Sequence, residues 1–579
     1  MSEAQCSGTL PLLRPRECDP SWSSHAQAVA AFRWQVPPRF NMAWAVCGRH
    51  AANPATAEKP ALIYSHHSGR EVTFSFGQLH QGACRLAAAL RSRGIVAGDR
   101  IAVLLPQRPE TALAHLAAYQ LGAIAVPLTT LFRHDALHYR LADSGAKALV
   151  LEEESLPLLD SVLADLPALQ VLLVVRADGA AGTPPPSLHG RQPEDFWSAV
   201  ESAPDSLTPL PTGADDPALL IYTSGTTGDP KGALHAHRVL LGHLPGFELS
   251  HNFSPQPGDC FYSPAEWAWI GGLLDVLMPA WYHGLPVVAW QGQGAFDPEH
   301  CYHLLARHGV RNAFIPPTAL RMMAQVPQVR ERFQLKLRTL MSGGEALGQA
   351  TLAWATETLG VGVNEIYGQT EVNYVVGNCQ PLWPVRPGSM GLSYPGHSVA
   401  VVNDAGQPLP PGTMGEVAVQ RGEDPVFFLE YWGNLQATEE KYAGDWALTG
   451  DLAVQDEEGY LWFKGRKDDV IISAGHRIGP TEIEGVLNRH PAVALSAVIG
   501  VPDELRGQIV KGFICLAPAY APSEALKQEL QTFVKDSLAR HEYPRAIEFR
   551  DKLPLTTTGK IRRVDLRLLE AAHHQEGDG

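Results

Sequence analysis

Apolar residues Phe76, Leu79, Ala83, Leu86 and Leu90 recur at steps of three and four, the stripe of a helix with one face to a core. An unbroken apolar run, RIAVLL at 100–105, follows after a short break. This handover from helix period to apolar strand recurs to about residue 175, and it constrains the fold more than any other feature. A helix-like stretch at 110–121 leads to AIAVP, and KALVLE and LQVLLVV come next. Helices alternating with strands apolar on both faces imply an α/β domain, a mostly parallel sheet covered by helices. Ser75 and Gln78 have capping-box spacing for the first helix, and Gly94 supplies its stop. Residues 178–187 and 203–217 read as loops, and no internal repeat is present.

The texture changes near 398. VAVVNDAGQPLPPGTMGEVAVQ and LAVQDEEGYLWFKG each read as strand, turn, strand, which sets a β-rich subdomain at about 395–466. From 467 a small α+β unit is expected, with a helix at 480–490 opened by Pro480, strands near 492–500 and 509–517, and a helix at 525–540. The chain therefore divides into an N-terminal domain, 1–466, and a C-terminal domain, 467–579.

A formal net charge of −15 argues against a nucleic-acid binder, so any anionic ligand must meet a local positive site. The eight cysteines form no C-x-x-C pair and read as reduced and intracellular, with no zinc framework. The N-terminal residues lack the apolar core of a secretory signal, and no run approaches the ~20 apolar residues of a membrane span. A soluble, cytoplasmic protein is expected, with self-association left open.

Residues 222–232 read YTSGTTGDPKG, directly after the apolar strand ALLIY at 218–222. Ligands of open α/β sheets bind at such strand ends. Gly225 and Gly228 let main-chain N–H groups turn inward, Thr223, Ser224, Thr226 and Thr227 add hydroxyls, and Lys231 adds charge. The spacing is not that of G-x-x-x-x-G-K-[ST]. Further along, EIYGQTE at 365–371 sets Thr370 beside Glu371, suited to a phosphate oxygen and a hard cation such as Mg2+. WALTGD ends in Asp451, GRKDDVIISAGHRIGPTEIE carries Arg466 and Arg477 around Gly475, and PLTTTGKIRR carries Lys560.

In this order and at these separations, the motifs resemble the adenylate-forming (AMP-binding) superfamily over about residues 40–567. YGQTE, RPGSMG, AGHRIGPTEIE, PDELRGQIVKGF and EYPR look most like its medium-chain acyl-CoA synthetase branch. The resemblance implies an ATP-dependent acyl-CoA ligase working through an acyl-adenylate, with small-molecule partners: a carboxylic acid, ATP, Mg2+ and coenzyme A. The 223–231 loop would grip the β- and γ-phosphates. Gly343, Gly344, Glu345 and Ala346 would form the adenine site with Ile366 and Tyr367, inside a stretch that also includes Glu365, Gly368 and Gln369. Asp451 and Arg466 would meet the ribose, Thr370 the α-phosphate, Glu371 the Mg2+ and Arg477 a phosphate. Lys560 would bridge the acid's carboxylate and the ribose and α-phosphate oxygens. The C-terminal domain would be a mobile lid hinged at 467–468, on Asp468. One orientation would present Lys560, the other Ala474, Gly475 and His476, with Arg506, Tyr543 and Arg545 meeting coenzyme A.

The chain departs from the family at EWAW, 266–269, where D-x-G-W is common; Glu266 is a mild change, whereas Ala268 and the extra Trp267 would reshape the acyl entrance. Leu131 stands where the branch often carries a polar CoA contact. Gly368 occupies a position that acetate-specific relatives fill with tryptophan, which implies an acid larger than acetate, short- to medium-chain or aromatic. His235 and His237 are candidates for the acid's carboxylate, with a packed or solvated role expected for at least one. Loading of a carrier protein's phosphopantetheine is the alternative; Arg506 and EYPR favour free coenzyme A.

Overall fold

The computed structural model describes residues 18–205, 207–223, 230–345, 347–473, 476–503, 506–538, 542–555 and 560–577. Among these, the strands form four sheets. In one, Arg100–Leu104 is flanked by Ile124–Leu128 and Ala148–Glu152, with Val171–Val175 beyond, all parallel. The expected capping box is present at Ser75 and Gln78, opening the helix Phe76–Ser92. The next helix, Pro109–Leu121, is buried along its whole length, which accounts for its weak apolar stripe.

The parallel pattern of this sheet breaks at Gly232–Ala236, which is antiparallel to both its neighbours, Pro217–Tyr222 and Glu430–Tyr431. Pro217–Tyr222 runs antiparallel to Gly232–Ala236, pairing Tyr222 with Gly232. Thr223 and Lys231, the described ends of the 223–231 stretch, thus lie between two paired antiparallel strands. A second large sheet places Asn312–Phe314, Thr339–Gly343 and Val363–Tyr367 side by side and parallel. Their carboxyl ends carry the 343–346 and 365–371 stretches to one edge. The buried helix Val239–Ser250 brings both sheets into one core.

Residues 399–402 and 414–420 pair antiparallel, as do 446–455 and 461–466, giving the β-rich sheet. A fourth sheet holds Ile471–Ser473, His476–Ile478, Val493–Asp503, Gly507–Leu516 and Ala546–Phe549. Its helices are shorter than expected: Pro480–Leu487, with Pro480 at its start, and Glu524–Ser537, after which Leu538 is extended. A single 3-10 turn, Lys467–Asp469, links the β-rich sheet to this last unit. Arg563 on the final helix pairs with Asp469 at 3.1 Å and with Glu484 at 2.6 Å, fixing that helix to the turn.

Close backbone approach joins the body to the β-rich region. A Cβ on Gly242 would stand 2.5 Å from the Val426 main-chain nitrogen. Gly242→Ala should therefore cost about 1–3 kcal/mol, the usual penalty of overpacking a rigid contact, read as a lower denaturation midpoint.

Candidate active site

The stretch 365–371 turns sharply after its strand. Gln369 N–H donates to the Val372 carbonyl (2.9 Å), and Val372 N–H donates back to Gln369 (3.2 Å). Thr370 and Glu371 are the two central residues of this turn and so are held at its tip. Just before it, the Tyr367 hydroxyl donates to Asp451 Oδ2 at 2.7 Å, and the Gln369 amide donates to the same oxygen at 2.7 Å. Arg466 donates to Asp451 Oδ1 at 3.1 Å. Asp451 thus unites the sheet edge with the β-rich strands, and it is itself buried. Beside an anionic Asp451, burial drives the Tyr367 phenol well above its ordinary pKa, so it stays a donor.

Glu371 is buried, and its Oε1 accepts from the Tyr431 hydroxyl at 2.5 Å. Oε2 has no hydrogen-bond partner among the described residues. The Lys231 ammonium stands 5.3 Å from the centre of the same Tyr431 ring. Lys231 also closes the hairpin loop, its carbonyl accepting from Thr223 N–H at 2.9 Å. The loop flanks and the 369–372 turn therefore meet at Tyr431. Lys441 donates to Gln369 Oε1 at 3.0 Å; burial lowers its pKa, while Glu371 pulls the other way.

Lys560 arrives from the C-terminal unit. A Cβ on Gly344 would lie 3.9 Å from its Nζ, and Gly344 itself takes φ +96°, which suits glycine. Lys560 keeps solvent contact on one side while protein crowds it on the others. That crowding lowers its pKa, with Glu345 and Asp451 opposing and Arg466 adding to the shift. Glu345 is held in turn by the Thr318 hydroxyl at 2.5 Å and by Arg321 at 3.0 Å. A Cβ on Gly343 would meet the Ile366 carbonyl at 2.6 Å, so the two stretches are in direct contact.

The structure thus gathers Thr223, Lys231, Gly344, Glu345, Ile366, Tyr367, Gly368, Gln369, Thr370, Glu371, Asp451, Arg466 and Lys560 around one cleft. Ser224, Gly225, Thr226, Thr227, Gly228, Ala346, Ala474 and Gly475 lie outside the described residues, as do the side chains of His476 and Arg477. Arg506, Tyr543 and Arg545 form a different group. Gly507 pairs with Ser473, and Arg545 N–H donates to the Val510 carbonyl, so these residues attach to the last sheet through the Gly507–Leu516 strand. Arg545 donates to the Tyr543 hydroxyl at 3.0 Å, and Arg506 lies 3.7 Å from Asp503.

His235 and His237 are both fully buried, with pKa values pushed down to about 3 by burial, so each is a packed neutral ring. Trp267 is buried, and Trp269 meets Phe132 edge-on with ring centres 6.3 Å apart. Leu131 is exposed. Gly368 has a steric reason of its own: its Cβ would stand 2.5 Å from Asn373 Oδ1. Sequence reading missed Tyr431, Lys441, Thr318 and Asn373, which sit in stretches with no glycine-rich or repeated pattern to mark them.

A turn bearing a carboxylate and a hydroxyl, with a lysine from the smaller C-terminal unit close by, fits an activating enzyme built in two parts. The chain belongs to the AMP-binding enzyme family. The family's main model matches residues 49–432, and its C-terminal domain model matches 482–560. Among relatives, the acetyl-coenzyme A synthetase of Bacillus subtilis (strain 168) is 35% identical over 540 residues, covering 92% of this chain and 91% of that one. The mitochondrial acyl-coenzyme A synthetase ACSM4 of Homo sapiens is 36% identical over 544 residues, with the same coverage of 92% and 91%. Among solved structures, the anthranilate CoA ligase AuaEII in complex with anthranoyl-AMP superposes with a TM-score of 0.83 at 30% identity, over 93% of this chain and 99% of that one.

Glu365 gives the site a pH signature. Burial raises its carboxyl from 4.5 to about 7, against the Leu347 N–H that favours the anion. The folded chain then holds this proton more tightly than the unfolded chain, so stability declines as pH rises from about 4.5 to 7 and levels off above. Glu365→Gln keeps an acceptor for Leu347 and cannot ionise. Melting temperatures across that range should fall less steeply for this variant than for the wild type.

Proposed function

We propose that this chain is an ATP-dependent acyl-CoA ligase that converts a carboxylic acid, ATP and coenzyme A into acyl-CoA, AMP and pyrophosphate. The observation that carries this reading is Lys560, reaching from the C-terminal unit to Gly344 within the field of Asp451 and Glu345. A carboxylate oxygen of the acid attacks the α-phosphorus and pyrophosphate departs. The thiol of coenzyme A then attacks the acyl carbon and AMP departs. Two anions must meet in the first step, so a fixed cation stabilises the charge that develops on the α-phosphoryl oxygens.

In this reading Asp451 and Arg466 hold the ribose, residues 343–346 with Ile366 and Tyr367 hold the adenine, and the 223–231 loop holds the terminal phosphates. Thr370 faces the α-phosphate and Arg477 a phosphate oxygen. The donor set fits magnesium: Glu371 Oε2 is unserved among the described residues, and phosphate oxygens with water would complete a hard-oxygen shell. The ion would supply charge neutralisation of the leaving phosphates.

The domain border falls at 466, with the Lys467–Asp469 turn as hinge. Rotation there would exchange Lys560 for the 474–476 loop, with Arg506, Tyr543 and Arg545 receiving coenzyme A. The acid is larger than acetate. The free thiols of Cys47, Cys84, Cys260, Cys301, Cys379 and Cys515 suit a reducing compartment, and we assign the enzyme to the cytoplasm. No helix among the described residues is long and apolar enough to cross a membrane.

With Mg-ATP, coenzyme A and a panel of C3–C10 and aromatic acids, the protein should release AMP and consume free thiol; release of ADP would refute the mechanism. Lys560→Ala should lower adenylate formation about 10²–10³-fold and spare thioester formation from supplied acyl-AMP. Equal damage to both half-reactions would refute the hinged exchange.

A further inference from the structure

Behind Gly368 lies a polar group that the nucleotide chemistry does not use. The Asn373 amide donates to Asp275 Oδ1 at 2.7 Å and lies 3.3 Å from His243 Nε2. His243 Nδ1 is 2.8 Å from the Val239 carbonyl, to which it donates, so Nε2 is an acceptor. Burial lowers the His243 pKa to about 4, keeping the ring neutral. These contacts hold the Asn373 amide nitrogen, both His243 ring nitrogens and Asp275 Oδ1. Among the described residues Asp275 Oδ2 has no hydrogen-bond partner, yet it is not sealed off, because its side chain stays 3% exposed.

The direction in which Oδ2 looks follows from its neighbours. It lies 3.7 Å from where a Cβ on Gly271 would stand, and the Phe314 ring lies 3.0 Å from that point. Gly271 is partly exposed, whereas Gly272 and the residues after it are buried. Phe314 ends the strand next to Thr339–Gly343, so this opening is at the same sheet edge as the nucleotide residues. Asp275 itself sits within the π-turn Leu273–Leu277, a local widening often found at functional positions. A buried carboxyl with one oxygen unserved costs stability that an apolar residue of similar size would not. The burial also pushes its pKa well above the ordinary range, with Asn373 opposing.

We propose that Asp275 reads the side chain of the acid, and that the pocket beside Gly271 takes a carboxylic acid bearing a hydroxyl or amino group that completes the unserved oxygen. This rests on the ligase reading above. A site built to hydrogen-bond a substituent discriminates strongly against the analogue that lacks it, because the protein group is then left unpaired. Discrimination by a purely apolar pocket is far weaker.

The test is kcat/KM, from AMP release, for matched acids: benzoate against 2-aminobenzoate and 3-hydroxybenzoate, and butanoate against 3-hydroxybutanoate. At least one polar member should exceed its plain partner by about tenfold or more. Asp275→Leu should reverse that preference. Asp275→Asn keeps the shape and puts an amide N–H where Oδ2 stood, so it should abolish a preference for the amino acid and spare one for a hydroxy acid. Asp275→Ala replaces the leucine variant if thermal denaturation shows that one unfolded. Wild-type preference for the plain acid in every pair, or equal factors on both members in Asp275→Leu or Asp275→Ala, overturns this inference alone. No AMP from any acid overturns the ligase reading, and this inference with it.

Discussion

The Asp451 carboxylate accepts from Tyr367, Gln369 and Arg466, side chains that belong to two different sheets. Hydrogen bonds to an ionised acceptor are shorter and stronger than neutral ones, and burial removes the water that would compete. Much of the cleft's geometry follows from this junction. Gln369 opens the turn that holds Thr370 and Glu371, so fixing its amide fixes their direction. Arg466 is the last residue before the 3-10 turn, so the C-terminal unit also starts from a point anchored on Asp451.

Charge is distributed to suit an anionic ligand inside an acidic chain. Lys231, Lys441, Arg466 and Lys560 converge on the cleft, and each is partly compensated by an aromatic face, an amide oxygen or a carboxylate. Such compensation keeps the cations in place before any ligand arrives. Preorganised charge of this kind spares the reorganisation that water would need during the reaction. The neutral, buried histidines stand apart from this field and contribute packing.

Much of this was legible in the linear chain, for physical reasons that differ by element. The helix from Phe76 and the parallel strands after it announce themselves because burial imposes a period on the residues. The 365–371 turn, Asp451, Arg466 and Lys560 lie in short local signatures. Tyr431, Lys441 and Asn373 do not: they act on residues 60, 72 and 98 positions away, and nothing local records such a pairing. The antiparallel strand Gly232–Ala236 was equally hidden, because a strand buried on both sides looks alike in either direction. Gly368, read as a mark of pocket size, has a second reason that no local pattern records, since a Cβ there would meet Asn373.

The ion pairs around the Lys467–Asp469 turn are divided unequally between the two sides. Lys467 grips the body through Asp404 at 2.8 Å and Glu416 at 3.0 Å, while Asp469 is held by Arg563 and Arg567 of the last helix. Turning the small unit would strain the Lys467 clasp and carry the Asp469 cluster along intact. Of the two, the Lys467–Asp404 link is the wetter, with both partners exposed, and dissolved ions weaken such links first. If the small unit turns as proposed, ionic strength would act as a dial on the resting posture of the molecule, loosening one latch while leaving the Asp469 cluster whole.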